Sequence, residues 1–260
     1  MRFTRFTVAP LVAALVLSAC QGQAVKTLDD PREILAAAAT TAAAATSVHL
    51  DLTAKGTVTL DPLGTGASAP IDLSGSTISA DLDLQNAKTH ATFSAPGLLG
   101  LAGEVIVADA IYLKSTLTGP KYRSLPLSGE PQHPLKGLTD LLARTDLQPS
   151  KGADAPCAGG NCYTLTMKLT PDDLGGLIGG GGGGGAVPSG LPIPIPVPDV
   201  SDATVDLTLH IEQASNRLSD ATAVVDLGDN GKLTLQGTFT KWNEGVQITP
   251  PPADQVEPAG

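Results

Sequence analysis

The residues of this chain whose chemistry could go beyond packing are its 3 cysteines and 4 histidines among 260 residues. Cys157 and Cys162 sit in Cys-Ala-Gly-Gly-Asn-Cys, and the Gly-Gly-Asn between them permits a tight turn. In an exported chain two such thiols close as a disulfide. Metal binding by the two thiols, or a redox role, are the alternatives. His49, His90, His133 and His210 are scattered, and none has a Cys or a second His at metal-ligand spacing. His49 and His210 occupy polar positions of alternating segments, where surface histidines belong. No Gly-x-Ser-x-Gly elbow is present, so a Ser-His-Asp hydrolase has no nucleophile to build on. The glycine run at 179–185 lacks a preceding strand, a Lys-Ser/Thr pair and a following helix, so it offers no phosphate cradle. Asp29-Asp30 and Asp172-Asp173 are helix-start residues. The expectation is a chain with no catalytic residue, no metal site and no cofactor.

Cys20 is different. Arg2 and Arg5 precede an apolar stretch at 8–17, too short for a stable span, and the stretch ends in Leu17-Ser18-Ala19-Cys20. This tetrapeptide resembles the bacterial lipobox, Leu-[Ala/Ser]-[Gly/Ala]-Cys. Such a motif implies diacylglycerol on the Cys20 thiol, cleavage just before it, and an acylated amine. Each buried methylene contributes ~0.8 kcal/mol and a single chain holds only marginally, so two or three chains make a durable anchor. The expected location is the outer leaflet of the plasma membrane. An ordinary secretory signal with an incidental Cys20 is the alternative.

The elements that must follow can be read from composition and period. Residues 1–19 read as a signal peptide and 20–28 as a polar tether. Loss of 1–19 removes Arg2 and Arg5 and leaves 14 basic against 26 acidic residues, a charge of −12. That balance argues against nucleic acid, whose phosphates require Lys and Arg. An alanine-rich helix is expected from Asp29 to about Thr46, with acids at its positive end and Pro31 in its first turn. Period-two alternation then marks half-buried antiparallel strands. They carry Val48, Leu50 and Leu52; Ile78, Leu82 and Leu84; and Ile111, Leu113 and Leu117. A second helix is expected at 134–146, then a strand at 161–169 with Leu165 and Met167 on one face. The Gly/Pro-rich insert at 179–198 reads as a lid or a linker. A meander closes the chain: Val205, Leu207 and Leu209; Val225; Leu233 and Leu235; then a short strand at 241–248 and a tail at 253–260.

This order, with "TVDLTLHIEQASNRLSDATAVV" and "FTKWNEGVQITPP" near the end, the phrase Asp109-Ala110-Ile111-Tyr112-Leu113 and the Cys20 lipobox, resembles the LppX/LprG-type lipoproteins of mycobacteria and related actinobacteria. The resemblance covers most of 29–252, a single domain. It implies an α+β fold: a strongly curved antiparallel half-barrel with helices over its concave face and an apolar cavity between the layers. It also implies an acylated lipid or glycolipid, such as a triacylated glycolipid, as ligand, with a membrane transporter as candidate partner. The glycine and Pro-x-Pro insert departs from the family pattern.

The residues themselves leave two functions open. Few aromatics follow the signal (Phe93, Phe239, Tyr112, Tyr122, Tyr163 and Trp242), so a wide sheet lined by small aliphatics could enclose a void or form a small dense core. In the first case the protein carries acyl chains between the plasma membrane and the outer envelope. In the second it is a structural or interaction lipoprotein. The inward face is expected to comprise Val48, Leu50, Leu52, Ile78, Leu82, Leu84, Ile111, Leu113, Leu165, Met167, Val205, Leu207, Leu209, Val225, Leu233 and Leu235.

Overall fold

The computed structural model describes residues 27–60, 68–127, 133–170, 173 and 203–257. Cys20, the signal peptide, residues 20–26 of the tether and the insert at 179–198, with its lid-or-linker question, lie outside the described residues.

Helix α1 (Pro31–Ala43) starts where its chemistry requires. The Asp30 carboxylate accepts the Arg32 N–H at 2.8 Å, and Pro31 stands in the first turn, where no donor is lost. Ile34, Leu35, Ala38, Ala39 and Ala42 form its buried stripe, spaced by three and four residues. The second helix, α2 (Lys136–Leu142), is shorter than the 134–146 expected, and Leu135 at its start makes no side-chain cap.

The remaining elements are strands: β1 (Ser47–Leu60), β2 (Ala69–Asp72), β3 (Ser76–Asp83), β4 (Lys88–Ala95), β5 (Leu101–Val107), β6 (Ile111–Ser115) and β7 (Gly119–Leu125), followed after α2 by β8 (Ser150–Lys151), β9 (Ala155–Cys157), β10 (Gly160–Leu169), β11 (Thr204–Glu212), β12 (Leu218–Asp226) and β13 (Gly231–Thr240). They form one antiparallel sheet in the order β7-β6-β5-β4-β3-β1-β13-β12-β11-β10-β8, with β2 on the far part of β1 and β9 on β10. The terminal strands β7 and β8 do not meet, so the curved sheet is a half-barrel rather than a closed barrel. Two glycines serve its central pair. Gly56 and Gly231 both have positive φ, and a Cβ on either would stand 2.2 Å from a carbonyl oxygen of the opposite strand.

The main core lies between the helices and the concave face. Buried α1 residues join Leu141 and Leu142 of α2 and, from the sheet, Val48, Leu82, Tyr163, Leu165, Leu209, Ile211, Leu218, Phe239 and Trp242. A satellite cluster of Ile106, Tyr112, Tyr122 and Ile248 sits on the opposite, convex face. Its last member corrects an expectation. Residues 241–248 are not a strand, because Lys241 (φ 50) and Asn243 (φ 61) turn the chain out of the sheet. Asn243 then locks the turn: its Oδ1 accepts the Thr46 N–H at 2.8 Å and its N–H donates to Ser47 O at 2.9 Å. Val246 and Ile248 thereby pack across the convex face instead of extending the sheet. Residues 253–257, expected as tail, hold to β7 through a Tyr122–Val256 bridge and the Glu257 N–H donating to Tyr122 O at 2.8 Å. Leu117, expected on the face of Ile111 and Leu113, is 60% exposed in the turn after β6, because the strand ends at Ser115.

Cys157 and Cys162 are joined in a disulfide that ties β9 to the start of β10, with their Cα atoms 5.9 Å apart.

Candidate functional site

The cross-strand register threads rows of side chains over the helix-covered face. One row runs Leu165, Leu209, Ala221, Gly237, Leu52, Ile78, Phe93, Gly103, Ser115. On one side of it lies Met167, Leu207, Ala223, Leu235, Ala54 and Ser76, and then Leu169, Val205, Val225, Leu233 and Gly56. On the other, Leu50, Ala80, Ala91, Val105 and Leu113 stand in line, followed by Val48, Leu82, Thr89, Val107 and Ile111. None of these positions carries a charge. The convex face holds Asp51, Asp81, His90, Glu104, Lys114, His210 and Asp220, and charge returns to the concave side only at the two ends of the rows, where Lys151 stands opposite Leu165 and Arg123 opposite Leu113.

Burial divides the concave face in two. Val48, Leu82, Leu84, Leu165, Met167, Val205, Leu207 and Leu209 belong to the packed core under the helices. Ile111 and Leu113 are buried in the outer arm of the sheet. Leu50, Leu52, Val225, Leu233 and Leu235 are only half-buried, and Ile78 is 40% exposed. The middle of the face is therefore an apolar trough beside a filled core.

The floor of that trough explains its openness. Ala54, Ala91, Ala221, Ala223 and Gly103 place little volume above the sheet, whereas Ala80 and Gly237 are covered by the core. Phe93 lies across Gly103, with its Cζ 2.6 Å from where a Cβ would stand, so the ring occupies the space the glycine leaves. Sequence reasoning weighted large aliphatics and left Phe93 and the alanines out of the inward set, although Ala54, Ala80, Ala221 and Ala223 fall on the apolar side of the alternation. At the β8–β10–β11 margin, Met167 and Leu207 reach a cleft of about 530 Å³ rimmed by Gln148, Ser150, Thr166, Lys168, Asp206 and Thr208. A second cleft, about 430 Å³, lies on the convex side between Tyr112, Ser124, Pro251 and Val256 and has no part in the trough.

Three of the four histidines pair with acids on the convex face, while His133 Nε2, ahead of α2, and Ser76 Oγ, on the concave face, are buried without a hydrogen-bond partner among the described residues. His49 meets Asp81 at 2.7 Å, His210 meets Asp220 at 2.6 Å, and His90 meets Glu104 at 2.7 Å. Glu104 also takes Lys114 at 2.9 Å, while Lys114 donates to the Tyr122 hydroxyl at 3.1 Å and lies over its ring. Burial alone would raise the Glu104 carboxyl, but hydrogen bonds from Tyr122, Lys114 and His90 outweigh it and hold it at about 2. Among the described residues no three His, Cys, Asp or Glu side chains gather as a metal-binding group. No described helix is long and apolar enough to cross a membrane. Burial of apolar groups against an uncharged surface of this kind is driven by exclusion of water.

No family model and no curated protein matches the chain. Among solved structures, LprF from Mycobacterium bovis is similar at 18% identity with a TM-score of 0.53, covering 86% of this chain and 98% of that one. The lipoprotein LppX from Mycobacterium tuberculosis is also 18% identical, with a TM-score of 0.48, covering 85% of this chain and 100% of its own. The likeness to LprF shows a shared fold.

Proposed function

We propose that this chain, a half-barrel of the LprF type, is a lipidated envelope protein that takes acyl chains into its concave trough and carries them between the plasma membrane and the outer envelope. The observation that carries this reading is the uncharged, half-open middle of the concave face, floored by alanine and glycine beside Leu50, Leu52, Ile78 and Leu235. A packed sheet would fill that space with large side chains, since interiors approach crystal-like density.

Uptake is passive. Each methylene withdrawn from water contributes about 0.8 kcal/mol without directional bonds, so the trough selects for apolar length rather than for one headgroup. Glycolipids and phospholipids with long acyl chains both satisfy that demand, and no catalytic group is required. Cys20, acylated, would hold the carrier at the outer leaflet of the plasma membrane, where a membrane transporter could deliver cargo to it.

A second reading, a structural module without cargo, draws support from the filled part of the same face, where Tyr163, Leu165 and Leu209 are fully buried. Native mass spectrometry of the Cys20→Ala chain, purified from the soluble extracytoplasmic fraction of the organism itself, separates the two. Acyl-lipid adducts are expected; a bare protein mass in every preparation leaves the structural module.

A further inference from the structure

We propose that two neighbouring hairpin tips at one end of the half-barrel, 96–100 and 116–118, form a contact surface for a lipid bilayer. Three large apolar side chains stand exposed among the described residues: Leu99 at 94%, Leu117 at 60% and Ile78 at 40%. All three lie towards the same end of the sheet. Leu99 and Leu117 cap the adjacent β4–β5 and β6–β7 turns, which are joined by the Thr116 N–H donating to Ala102 O at 2.9 Å. Ile78 begins the trough floor two residues in from that end.

The folded state does not explain Leu99. Its φ of 55 is left-handed, where Gly or Asn is held at less cost, and the side chain touches almost nothing in return. A local rule broken without compensation in packing marks a position shaped by something outside the fold. The tip is also closed by its own backbone hydrogen bonds. Leu98, Gly100 and Leu101 donate to Ala95 O, Pro96 O and Leu98 O at 3.0, 3.1 and 2.9 Å. A Cβ on Gly97 would collide with Asp72 O at 1.6 Å, so the tip is seated directly on β2.

Charge decides the occupant. The chain has 26 acidic and 16 basic residues, yet 91–103 and 115–120 contain none of either. The Asp72 carboxylate beside the first tip is engaged by the Ser74 N–H at 2.9 Å. Two narrow tips cannot supply the ~800 Å² that each partner contributes to an ordinary protein interface. They suit the boundary of headgroups and acyl chains, where backbone groups paired within each turn lose little on leaving water. The reach agrees. Leu28 is fixed by its N–H to the Tyr163 hydroxyl at 2.8 Å and by Lys151 on its carbonyl at 3.2 Å. From Tyr163 the strand runs ~20 Å to its end at Leu169, on the side of the tips. The chain from Cys20 to Leu28 extends up to ~28 Å. An anchor on Cys20 and the tips can therefore meet one bilayer.

The test uses the full chain with Leu99→Trp on phosphatidylcholine vesicles, compared with Gln85→Trp in the exposed turn at the opposite end. The native Trp242, 8% exposed, contributes a constant background that the unsubstituted chain measures. The tryptophan of Leu99→Trp should shift to the blue with vesicles and be quenched by bromine-labelled acyl chains, and that of Gln85→Trp should do neither. Leu99→Ser combined with Leu117→Ser should lower vesicle partitioning about tenfold, the scale of withdrawing two leucines from an interface. Acyl adducts in native mass spectrometry should persist in that double variant, which keeps the docking surface separate from the carrier reading. Three results overturn the proposal: emission of Leu99→Trp that ignores vesicles, equal quenching at both ends, or a blue-shifted emission before vesicles are added, which would mean that protein covers the tip.

Discussion

Leu209 and Ile78 lie on one row of the concave face, yet Leu209 is 0% exposed and Ile78 is 40% exposed. The same replacement at both sites measures how much of that face is empty. Leu209→Trp forces an indole into the cluster with Leu165, Ile211 and Tyr163, and overpacking of this kind costs about 1–3 kcal/mol. For a domain of this size each kcal/mol lowers Tm by about 2–4 °C, so a fall of roughly 2–12 °C is expected. Ile78→Trp extends over the half-open alanine floor, where it should change stability by less than ~0.5 kcal/mol and Tm by under ~2 °C. The indole should nonetheless fill the trough and abolish acyl-lipid adducts. Calorimetry gives the first quantity and native mass spectrometry the second. If Ile78→Trp melts as low as Leu209→Trp, the trough is filled in solution. If it melts normally and still carries acyl chains, the trough is not where they bind.

Cys20→Ala should release the chain from the membrane fraction into the soluble extracytoplasmic one; retention after a salt wash would contradict a lipid anchor. Trp242→Phe removes the indole N–H that Leu218 O accepts at 3.1 Å in the core, and the stranded carbonyl should cost about 1–3 kcal/mol in urea unfolding. A loss below ~0.5 kcal/mol would show that water or a rearranged backbone satisfies it. Glu104, held at about 2 against an ordinary 4.5, stabilises the fold wherever it is ionised in the unfolded chain. The gap corresponds to about 3 kcal/mol at most, and partial exposure of its partners His90 and Lys114 reduces that to about 1–2 kcal/mol. This contribution is complete above pH 4.5 and is lost as pH falls from there towards 2. The stability difference between the native chain and Glu104→Gln should shrink over that window, and a pH-independent difference would remove the electrostatic explanation.

Much of the fold was legible because its signals are strong and local. Asp30-Pro31 announced α1, and the Leu/Val/Ile alternation of β1, β3 and β10 to β13 announced a one-sided sheet. Strands β2, β4 and β7 were missed, since Thr89, Ala91 and Phe93, or Lys121 and Arg123, give little contrast between faces. The supposed strand at 241–248 shows the limit of pattern reading. Val246 and Ile248 alternate correctly, but two left-handed residues upstream send them to the convex face. For the concave face, register put the expected residues on one side, while burial separated core from trough. That separation depends on where α1 and α2 lie, which no strand's own alternation encodes.

The first and last strands of the sheet, β1 and β13, form its central seam, pairing from His49–Thr240 to Val58–Gly231. Each arm beyond that seam is a meander that follows chain order, but the arms become one surface only when segments far apart in the chain zip together. Closing so distant a contact is entropically costly and slow, and it gives the molecule the high contact order of late-folding β proteins. A chain threaded across a membrane from its N-terminus would emerge with β1 waiting for a partner until nearly all of it has crossed. Extra length between β10 and β11 spans a hairpin within one arm and leaves the seam untouched, so an insert there adds little to the folding barrier, about 0.6 kcal/mol per doubling of the loop. Truncation anywhere in β13 would instead leave two unjoined half-sheets, each with an open edge exposed to aggregation.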